Sequence, residues 1–140
     1  MKALYHAHGH ATGGRTGEGG TDDGRLAVTL STPKELGGDG GPGTNPEQMF
    51  SIGYSACFLG ALKFVAGNEK VKIPAETRVS ADIGIGARDD GTGFGITAAI
   101  TVSIPGMEKD VAEALVQKAH IVCPYSNAIH KTVDVQLTVV

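Results

Sequence analysis

The sequence predicts an α+β fold, and three patterns support this prediction. Stretches in which apolar and polar residues alternate indicate strands at both ends and in the middle of the chain. Two longer segments have the composition and apolar spacing of helices. Glycine-rich stretches mark turned loops near the start. A chain of 140 residues is the size of one domain, predicted to span residues 1–140.

The first third of the chain is predicted to be sheet and loops. An initial strand is expected near residues 2–10, and the alternation of Leu26, Val28 and Leu30 with polar residues indicates a second, half-buried strand. Twelve of the 21 glycines precede residue 45, and they cluster at 13–14 and 37–43. The second cluster is expected to lead into a helix.

The first helix has a clear start signal. Asn45 is predicted to cap it, with Pro46 at its first position and Gln48 placed to bond back as in a capping box. Gly67 is the expected end.

A hairpin and a second helix follow. Alternating residues over 79–85 and 96–104 flank a turn at 89–93, which is typical of a β-hairpin. The second helix is predicted from about Glu108 to Val122, ended by Pro124, with a last strand over 133–139. Its apolar face is expected to comprise Val111, Leu115, Ala119 and Val122.

Composition argues against several functional classes. A net charge of −3 with dispersed Lys and Arg offers no basic stripe, so no nucleic acid partner is expected. The N-terminus lacks the apolar core of a signal peptide, and no apolar run approaches ~18 residues. The protein is therefore predicted to be cytoplasmic, without a membrane partner. Four Phe, three Tyr and no Trp imply a thin core, which favours an obligate oligomer.

The histidines could form a metal site and the glycine-rich loops a phosphate-binding site, but neither interpretation is favoured. His6, His8 and His10 would share one strand face and could bind a transition metal, but a solvent-facing edge strand is preferred because no second ligand cluster accompanies them. His120 and His130 are expected either at the surface or in contact with residues that line a site. The glycine-rich loops lack the Gly-Lys-Ser/Thr of a phosphate loop. No bound metal or cofactor is predicted.

Two cysteines point to thiol chemistry. Cys57 falls within a predicted helix and Cys123 at the end of another. In a reducing compartment a structural disulfide is disfavoured, so the pair is either inert and buried or redox-active. Distant cysteines of this kind suit a reaction in which one sulfur forms a sulfenic acid and the other resolves it.

A reactive Cys57 needs a nearby cation, because burial in an apolar helix raises a thiol pKa. Lys63 is six residues further along the helix and points away from the Cys57 face. Arg15, between flexible glycines, is the better candidate, and Glu47 could hold its guanidinium through a bidentate pair.

The spacing of Glu47 and Cys57 raises a question of geometry. Ten residues on a straight helix correspond to ~15 Å, so an arginine held by Glu47 would not easily reach Cys57 of the same chain. One hypothesis is a site shared between paired helices of two subunits. A kinked helix start is the alternative.

Six segments of the chain together resemble the organic hydroperoxide resistance (Ohr) proteins of the OsmC-like superfamily. The resemblance spans essentially the whole chain, and the ending after Cys123 is more similar to the Ohr branch than to OsmC proper. The segments are Ala-Thr-Gly-Gly-Arg at 11–15, Gly-Thr-Asn-Pro-Glu-Gln at 43–48, Gly-Tyr-Ser-Ala-Cys-Phe at 53–58, Gly-Phe-Gly at 93–95, Pro-Gly-Met at 105–107 and Cys-Pro-Tyr-Ser-Asn-Ala at 123–128.

The resemblance implies an intertwined homodimer with antiparallel sheets packed around two main helices. It further implies reduction of organic hydroperoxides, with Cys57 as the peroxidatic cysteine, Cys123 as the resolving cysteine, and Arg15 and Glu47 as the activating pair. Dihydrolipoyl groups on lipoylated proteins would reduce the resulting disulfide. A redox sensor, a ligand-binding protein and a metal chaperone are the alternatives.

An apolar pocket would select bulky organic peroxides over hydrogen peroxide. Candidate lining residues, each of which could equally be a core residue, are Met49, Phe50, Phe58, Phe94 and Ile129.

Overall fold

The computed structural model describes residues Met1–Val140 and confirms the α+β class. It contains six strands in two sheets and three α-helices. The chain comprises two compact units, Met1–Met49 and Phe50–Val140. The single domain over 1–140 stays a prediction.

The first unit holds an antiparallel sheet of three short strands. These are β1 (Gly9–Thr12), β2 (Glu18–Thr21) and β3 (Ala27–Thr29), paired in that order. The strand predicted around Leu26, Val28 and Leu30 is confirmed over Ala27–Thr29, but Leu26 is 47% exposed. The predicted strand at 2–10 is wrong for all but its last two residues, and β2 was not foreseen because Glu-Gly-Gly-Thr has no apolar alternation.

The late start of β1 also corrects the interpretation of the N-terminal histidines. His6 and His8 lie outside any strand, so the three imidazoles do not share one strand face. All three side chains are exposed, and His10 Nδ1 lies 3.0 Å from Asp22 Oδ1.

The first helix, α1 (Pro46–Asn68), begins where its cap was predicted. Asn45 Oδ1 accepts a hydrogen bond of 2.8 Å from the Gln48 backbone N–H, which is the N-cap contact. The Gln48 side-chain oxygen accepts one of 2.8 Å from the Thr44 hydroxyl. The helix ends one residue beyond the expected Gly67.

Helix α1 is long and apolar enough, by length and composition alone, to cross a membrane, with a mean hydropathy of 1.5. The sequence shows no uninterrupted apolar run here, because small and weakly polar residues break the run without lowering its mean hydropathy much. One such helix is weak evidence, since the core helix of a soluble protein passes the same test. The absence of a membrane partner stays a prediction.

The second unit holds a mixed sheet. The predicted hairpin is confirmed as β4 (Arg78–Ala87) paired antiparallel with β5 (Phe94–Ser103). The last strand, β6 (Val135–Val139), pairs with β5 in parallel, so this sheet is not wholly antiparallel as expected. Two helices intervene between β5 and β6 and carry the chain back, so that β6 enters the sheet in the same direction as β5.

Those two helices are α2 (Lys109–Val122) and α3 (Pro124–Ile129). Pro124 ends α2 as predicted but also begins α3, at a position where its missing N–H costs nothing. The predicted buried face of α2 is partly wrong, since Val111 and Val122 are 45% and 44% exposed. The buried residues are Ala112, Leu115, Val116 and Ala119, which form an i, i+3, i+4, i+7 stripe.

One core fills the second unit. It consists of apolar side chains from one face of α1, from α2 and from the β4–β5 hairpin, and Cys123 lies in it fully buried. The contribution of α1 comprises Tyr54, Phe58, Ala61, Leu62, Val65 and Ala66.

Candidate functional site

The two cysteines lie in contact. Cys57 on α1 and Cys123, between α2 and α3, have their sulfur atoms 3.7 Å apart, and the Cys123 S–H donates to Cys57 Sγ. Both are free thiols, Cys123 buried and Cys57 partly exposed. A disulfide measures about 2.05 Å, so a short approach of the sulfurs would suffice to form one.

Local sequence fixes the backbone of Cys123. Because Pro124 cannot continue α2, Cys123 adopts an extended conformation that ends one helix and starts the next. Its N–H donates to Ala119 O and its carbonyl accepts from Asn127 N–H, each at 2.9 Å. Both the backbone N–H and the backbone carbonyl of Cys123 are thus hydrogen-bonded.

Burial raises the pKa of the Cys57 thiol above its usual range. A hydrogen bond from the Tyr125 backbone N–H acts in the opposite direction, and the neighbouring Cys123 raises the pKa further. Within this unit the thiol form of Cys57 is therefore favoured over the thiolate, because even partial burial disfavours the charged form.

A second buried contact joins the same elements. The Tyr54 and Ser126 hydroxyl oxygens lie 2.8 Å apart, and both side chains are almost fully buried. Tyr54 also packs its ring against Phe50, Phe58 and Tyr125, with centroids 5.7, 6.4 and 5.9 Å away. Sequence reasoning missed Tyr54 and Ser126. Their equal spacing of three residues from the two cysteines is the signal that could have found them.

Arg15 and Glu47 form a bidentate ion pair in the first unit. Arg15 Nη1 donates to Glu47 Oε2 at 2.8 Å, and Nη2 donates to Oε1 at 2.6 Å. The pair raises the pKa of Arg15 and lowers the pKa of Glu47, in both cases chiefly through these hydrogen bonds. Glu47 also lies in the first turn of α1, where a negative charge is favourable.

Glycines shape the turn that carries Arg15. A short 3₁₀ helix, Gly14–Thr16, follows Gly13, whose φ of 67° is left-handed. A Cβ at Gly17 would lie only 1.9 Å from Thr12 O, so this close backbone approach requires glycine. The turn directs Arg15 towards Glu47.

The structure thus brings the four sequence-predicted residues together as two pairs, one in each unit. Cys57 contacts Cys123, and Arg15 contacts Glu47. The catalytic roles expected for them stay predictions.

The residues expected to line a peroxide pocket differ in their exposure. Phe58 is fully buried in the core and cannot line an open pocket, so that expectation is wrong. Phe94 is 73% exposed and lines a cavity of about 600 Å³ with Ile85, Arg88 and Ile96.

The other candidates are partly buried. Phe50 stacks on Tyr125 with ring centroids 5.6 Å apart. Ile129 packs against the core, and Met49 is half-buried in the first unit. A binding role for them stays a prediction.

The histidines form no evident metal centre. No three His, Cys, Asp or Glu side chains lie close enough to hold a metal ion. His120 and His130 line a cavity of about 250 Å³ with Ser126, and His120 Nδ1 is buried without a hydrogen-bond partner. Burial, aided by the His130 charge, lowers the pKa of His120.

Comparison with known proteins identifies the family of this chain. Residues 37–138 match the OsmC-like protein family. The organic hydroperoxide resistance protein of Xanthomonas axonopodis pv. citri (strain 306) is 52% identical over 137 residues, covering 98% of this chain and 95% of that protein. The chain belongs to the Ohr/OsmC family.

Solved structures of Ohr proteins share this fold. One from Legionella pneumophila has a TM-score of 0.91 at 45% identity, covering 99% of this chain and 98% of the other. OhrB of Bacillus subtilis has a TM-score of 0.90 at 36% identity, covering 99% and 100%. The α+β architecture is therefore that of the Ohr/OsmC family over nearly its whole length.

Proposed function

We propose that this protein is a thiol-dependent peroxidase that reduces organic hydroperoxides, such as alkyl and fatty-acid hydroperoxides, to alcohols. The observation that carries the proposal is the 3.7 Å contact between the reduced sulfurs of Cys57 and Cys123. Relatives named for organic hydroperoxide resistance, 52% identical to this chain, support the substrate class.

The proposed reaction uses the two cysteines in order. The Cys57 thiolate attacks one peroxide oxygen, the O–O bond breaks, and the alkoxide leaves and takes up a proton to become the alcohol. The resulting Cys57 sulfenic acid condenses with the Cys123 thiol, which forms the disulfide and releases water.

Arg15 and Glu47 are the proposed activating pair. Arg15 would stabilise the Cys57 thiolate and the alkoxide charge that develops on the leaving oxygen, while Glu47 aims the guanidinium. The bidentate bonds of 2.8 and 2.6 Å support the aiming role. Glu47 would serve either the cysteine of its own chain or that of a partner, and mixing complementary variants distinguishes the two.

A dithiol would complete the cycle. We propose that dihydrolipoyl groups on lipoylated proteins open the disulfide by thiol–disulfide exchange. The protein itself holds no cofactor in this proposal, acts as a homodimer and works in the cytoplasm.

Single-turnover oxidation tests this function. Reduced protein is mixed with cumene hydroperoxide or with hydrogen peroxide, thiol loss is followed in time, and dihydrolipoamide is then added. Fast disulfide formation that prefers the organic peroxide and is reversed by dihydrolipoamide is the expected result. The matched variants are Cys57→Ser, expected not to react, and Cys123→Ser, expected to stop at the sulfenic acid.

One observation favours a second candidate, a redox sensor or ligand-binding protein with slow peroxidase activity. Burial raises the pKa of Cys57, which alone would leave mostly unreactive thiol at neutral pH. Slow oxidation without preference between the two peroxides would favour this candidate over the peroxidase.

A further inference from the structure

Besides the packing of Tyr125, two contacts between side-chain polar groups join α1 to the Cys123–α3 segment side by side. Cys57 contacts Cys123 through sulfur, and Tyr54 contacts Ser126 through hydroxyl oxygens 2.8 Å apart. Tyr54 precedes Cys57 by three residues and Ser126 follows Cys123 by three. Since three residues advance a helix by ~4.5 Å, the two contacts lie about one turn apart.

The hydroxyl contact is the more firmly held of the two. Both of its side chains are at most 1% exposed, and the Tyr54 ring packs against three aromatic rings. A buried hydroxyl without a partner is costly, so the fold strongly favours keeping this pair together. The sulfur contact, at 3.7 Å, includes only a weak S–H donor.

Oxidation of Cys57 would disturb the sulfur contact. An added oxygen takes space beside a buried neighbour and removes the S–H···S geometry seen between the thiols. Cys123 must nevertheless come within bonding distance of Cys57 for the disulfide to form. Between formation of the sulfenic acid and formation of the disulfide, contacts other than the one between the sulfurs must hold α3 against α1.

We propose that the Tyr54–Ser126 hydrogen bond positions Cys123 for the resolving step. The proposal rests on the peroxidase function above and adds two positioning residues to it. Neither hydroxyl reacts. In the step that they assist, Cys57–SOH and Cys123–SH become the Cys57–Cys123 disulfide and water.

Tyr54→Phe and Ser126→Ala test the proposal. Each removes one hydroxyl, and Tyr54→Phe keeps the packed ring. The matched control is Ser55→Ala on the same helix, whose hydroxyl donates to Ser51 O at 2.8 Å and accepts from Ala81 N–H at 3.0 Å, away from α3. Sulfenic acid formation, disulfide formation and thermal unfolding are measured for each variant with cumene hydroperoxide.

Both test variants are expected to form the sulfenic acid at the wild-type rate and the disulfide about fivefold more slowly, as the loss of one hydrogen bond implies. More of the sulfenic acid should then be trapped by dimedone. The double variant should be no slower than the slower single, because both remove the same bond. Ser55→Ala should lose stability without slowing the disulfide step.

The opposite pattern would overturn the proposal. If Tyr54→Phe and Ser126→Ala form the disulfide as fast as Ser55→Ala does, the pair has only a structural role. A second assay separates this outcome from failure of the peroxidase function. Oxidised glutathione places a mixed disulfide on Cys57, and attack by Cys123 then releases glutathione. That release should slow in the same two variants even if the wild-type protein does not react with peroxides.

Discussion

Cys57 lies where burial opposes its ionisation. Its thiol pKa is raised mainly by desolvation, and the Tyr125 N–H offsets this only in part. A peroxidatic cysteine reacts as thiolate, so the proposed function requires a further positive charge close to it. Arg15 is the residue to which we assign that charge.

Replacing Arg15 by Ala should shift the ionisation of Cys57 to higher pH. Removal of a cation disfavours the thiolate, and each unit of upward shift lowers the thiolate fraction at neutral pH about tenfold. The ultraviolet absorbance of the thiolate and the rate of reaction with cumene hydroperoxide, both measured against pH, report the shift. Arg25→Ala is the control, because Arg25 is an exposed arginine paired with Asp23. An unchanged ionisation midpoint in Arg15→Ala would remove Arg15 from the mechanism.

The Arg15–Glu47 pair has its own pH dependence. The hydrogen bonds of Arg15 lower the pKa of Glu47 from 4.5, so the folded state favours the carboxylate. The contribution of the pair is therefore fully present above pH 4.5 and is lost as the pH falls through the lowered value. At neutral pH the pair is intact. The effect of Arg15→Ala can be measured there without interference from protonation of Glu47.

At the level of elements, α1 and α3 meet through a glycine. A Cβ at Gly53 would lie 3.3 Å from Cε2 and from the hydroxyl oxygen of Tyr125, closer than most such contacts. Tyr125 follows Cys123 by two residues and supplies the N–H that bonds to Cys57. Gly53 thus sets how closely α3 approaches the helix that carries Cys57.

Gly53→Ala is expected to displace Tyr125 and slow disulfide formation. Gly60→Ala is the matched control, because it lies on the same helix with nothing within 4 Å of its added Cβ. Gly60→Ala should raise the free energy of unfolding by about 0.5–1 kcal/mol through helix propensity alone. Gly53→Ala should gain less. Equal stability and equal disulfide rates, by denaturant titration and stopped flow, would show that the contact does not matter.

The helices also show what the sequence could predict. The start of α1 followed from Asn45 and Pro46, because capping depends on residues adjacent in sequence. The buried face of α2 does not follow from hydrophobicity alone, because Val111 and Val122 are exposed and the packed stripe begins at Ala112. The helix α3 is not predicted by the sequence pattern, because Pro124 is both a stop signal for α2 and a favourable first residue for α3.

For the candidate site, too, local sequence signals were predictive and three-dimensional packing was not. Motif residues identified Arg15, Glu47, Cys57 and Cys123, and the structure pairs Arg15 with Glu47 and Cys57 with Cys123, while their catalytic roles stay predictions. The Tyr54–Ser126 contact was not predicted because it depends on how α3 lies against α1 in three dimensions. The parallel entry of β6 beside β5 escaped prediction for the same reason, since alternation fixes a strand but not its partner.

The chain as a whole leaves large apolar side chains exposed on α1. Ile52 and Phe64 are 71% and 62% exposed, which agrees with a helix that a second copy would cover. Glu47 and Cys57 both lie on this helix, ten residues apart. A site shared between two copies of the chain would account for the exposed apolar side chains and for the distance between Glu47 and Cys57.

Mixing two inactive variants tests the shared site. If Glu47 of one subunit serves Cys57 of the other, mixed dimers of Cys57→Ser and Glu47→Ala contain one intact site of two and recover peroxidase activity. The mixture is refolded together and assayed with cumene hydroperoxide, with each variant refolded alone as control. No recovery, with mixed dimers verified by mass spectrometry, would place Glu47 and Cys57 of one chain in the same site.

The contact between the two thiols has a consequence for survival under heavy oxidant load. A sulfenic acid that meets a second peroxide becomes a sulfinic acid and is permanently lost. In the proposed cycle Cys123 reacts within the same molecule, where well-oriented groups reach effective concentrations of about 10⁵ M or more, and the Tyr54–Ser126 bond would hold it close after Cys57 is oxidised. A second peroxide, which must arrive by diffusion, would then lose the competition for the sulfenic acid. The protein should therefore keep turning over at doses that would inactivate an enzyme whose two cysteines lie far apart.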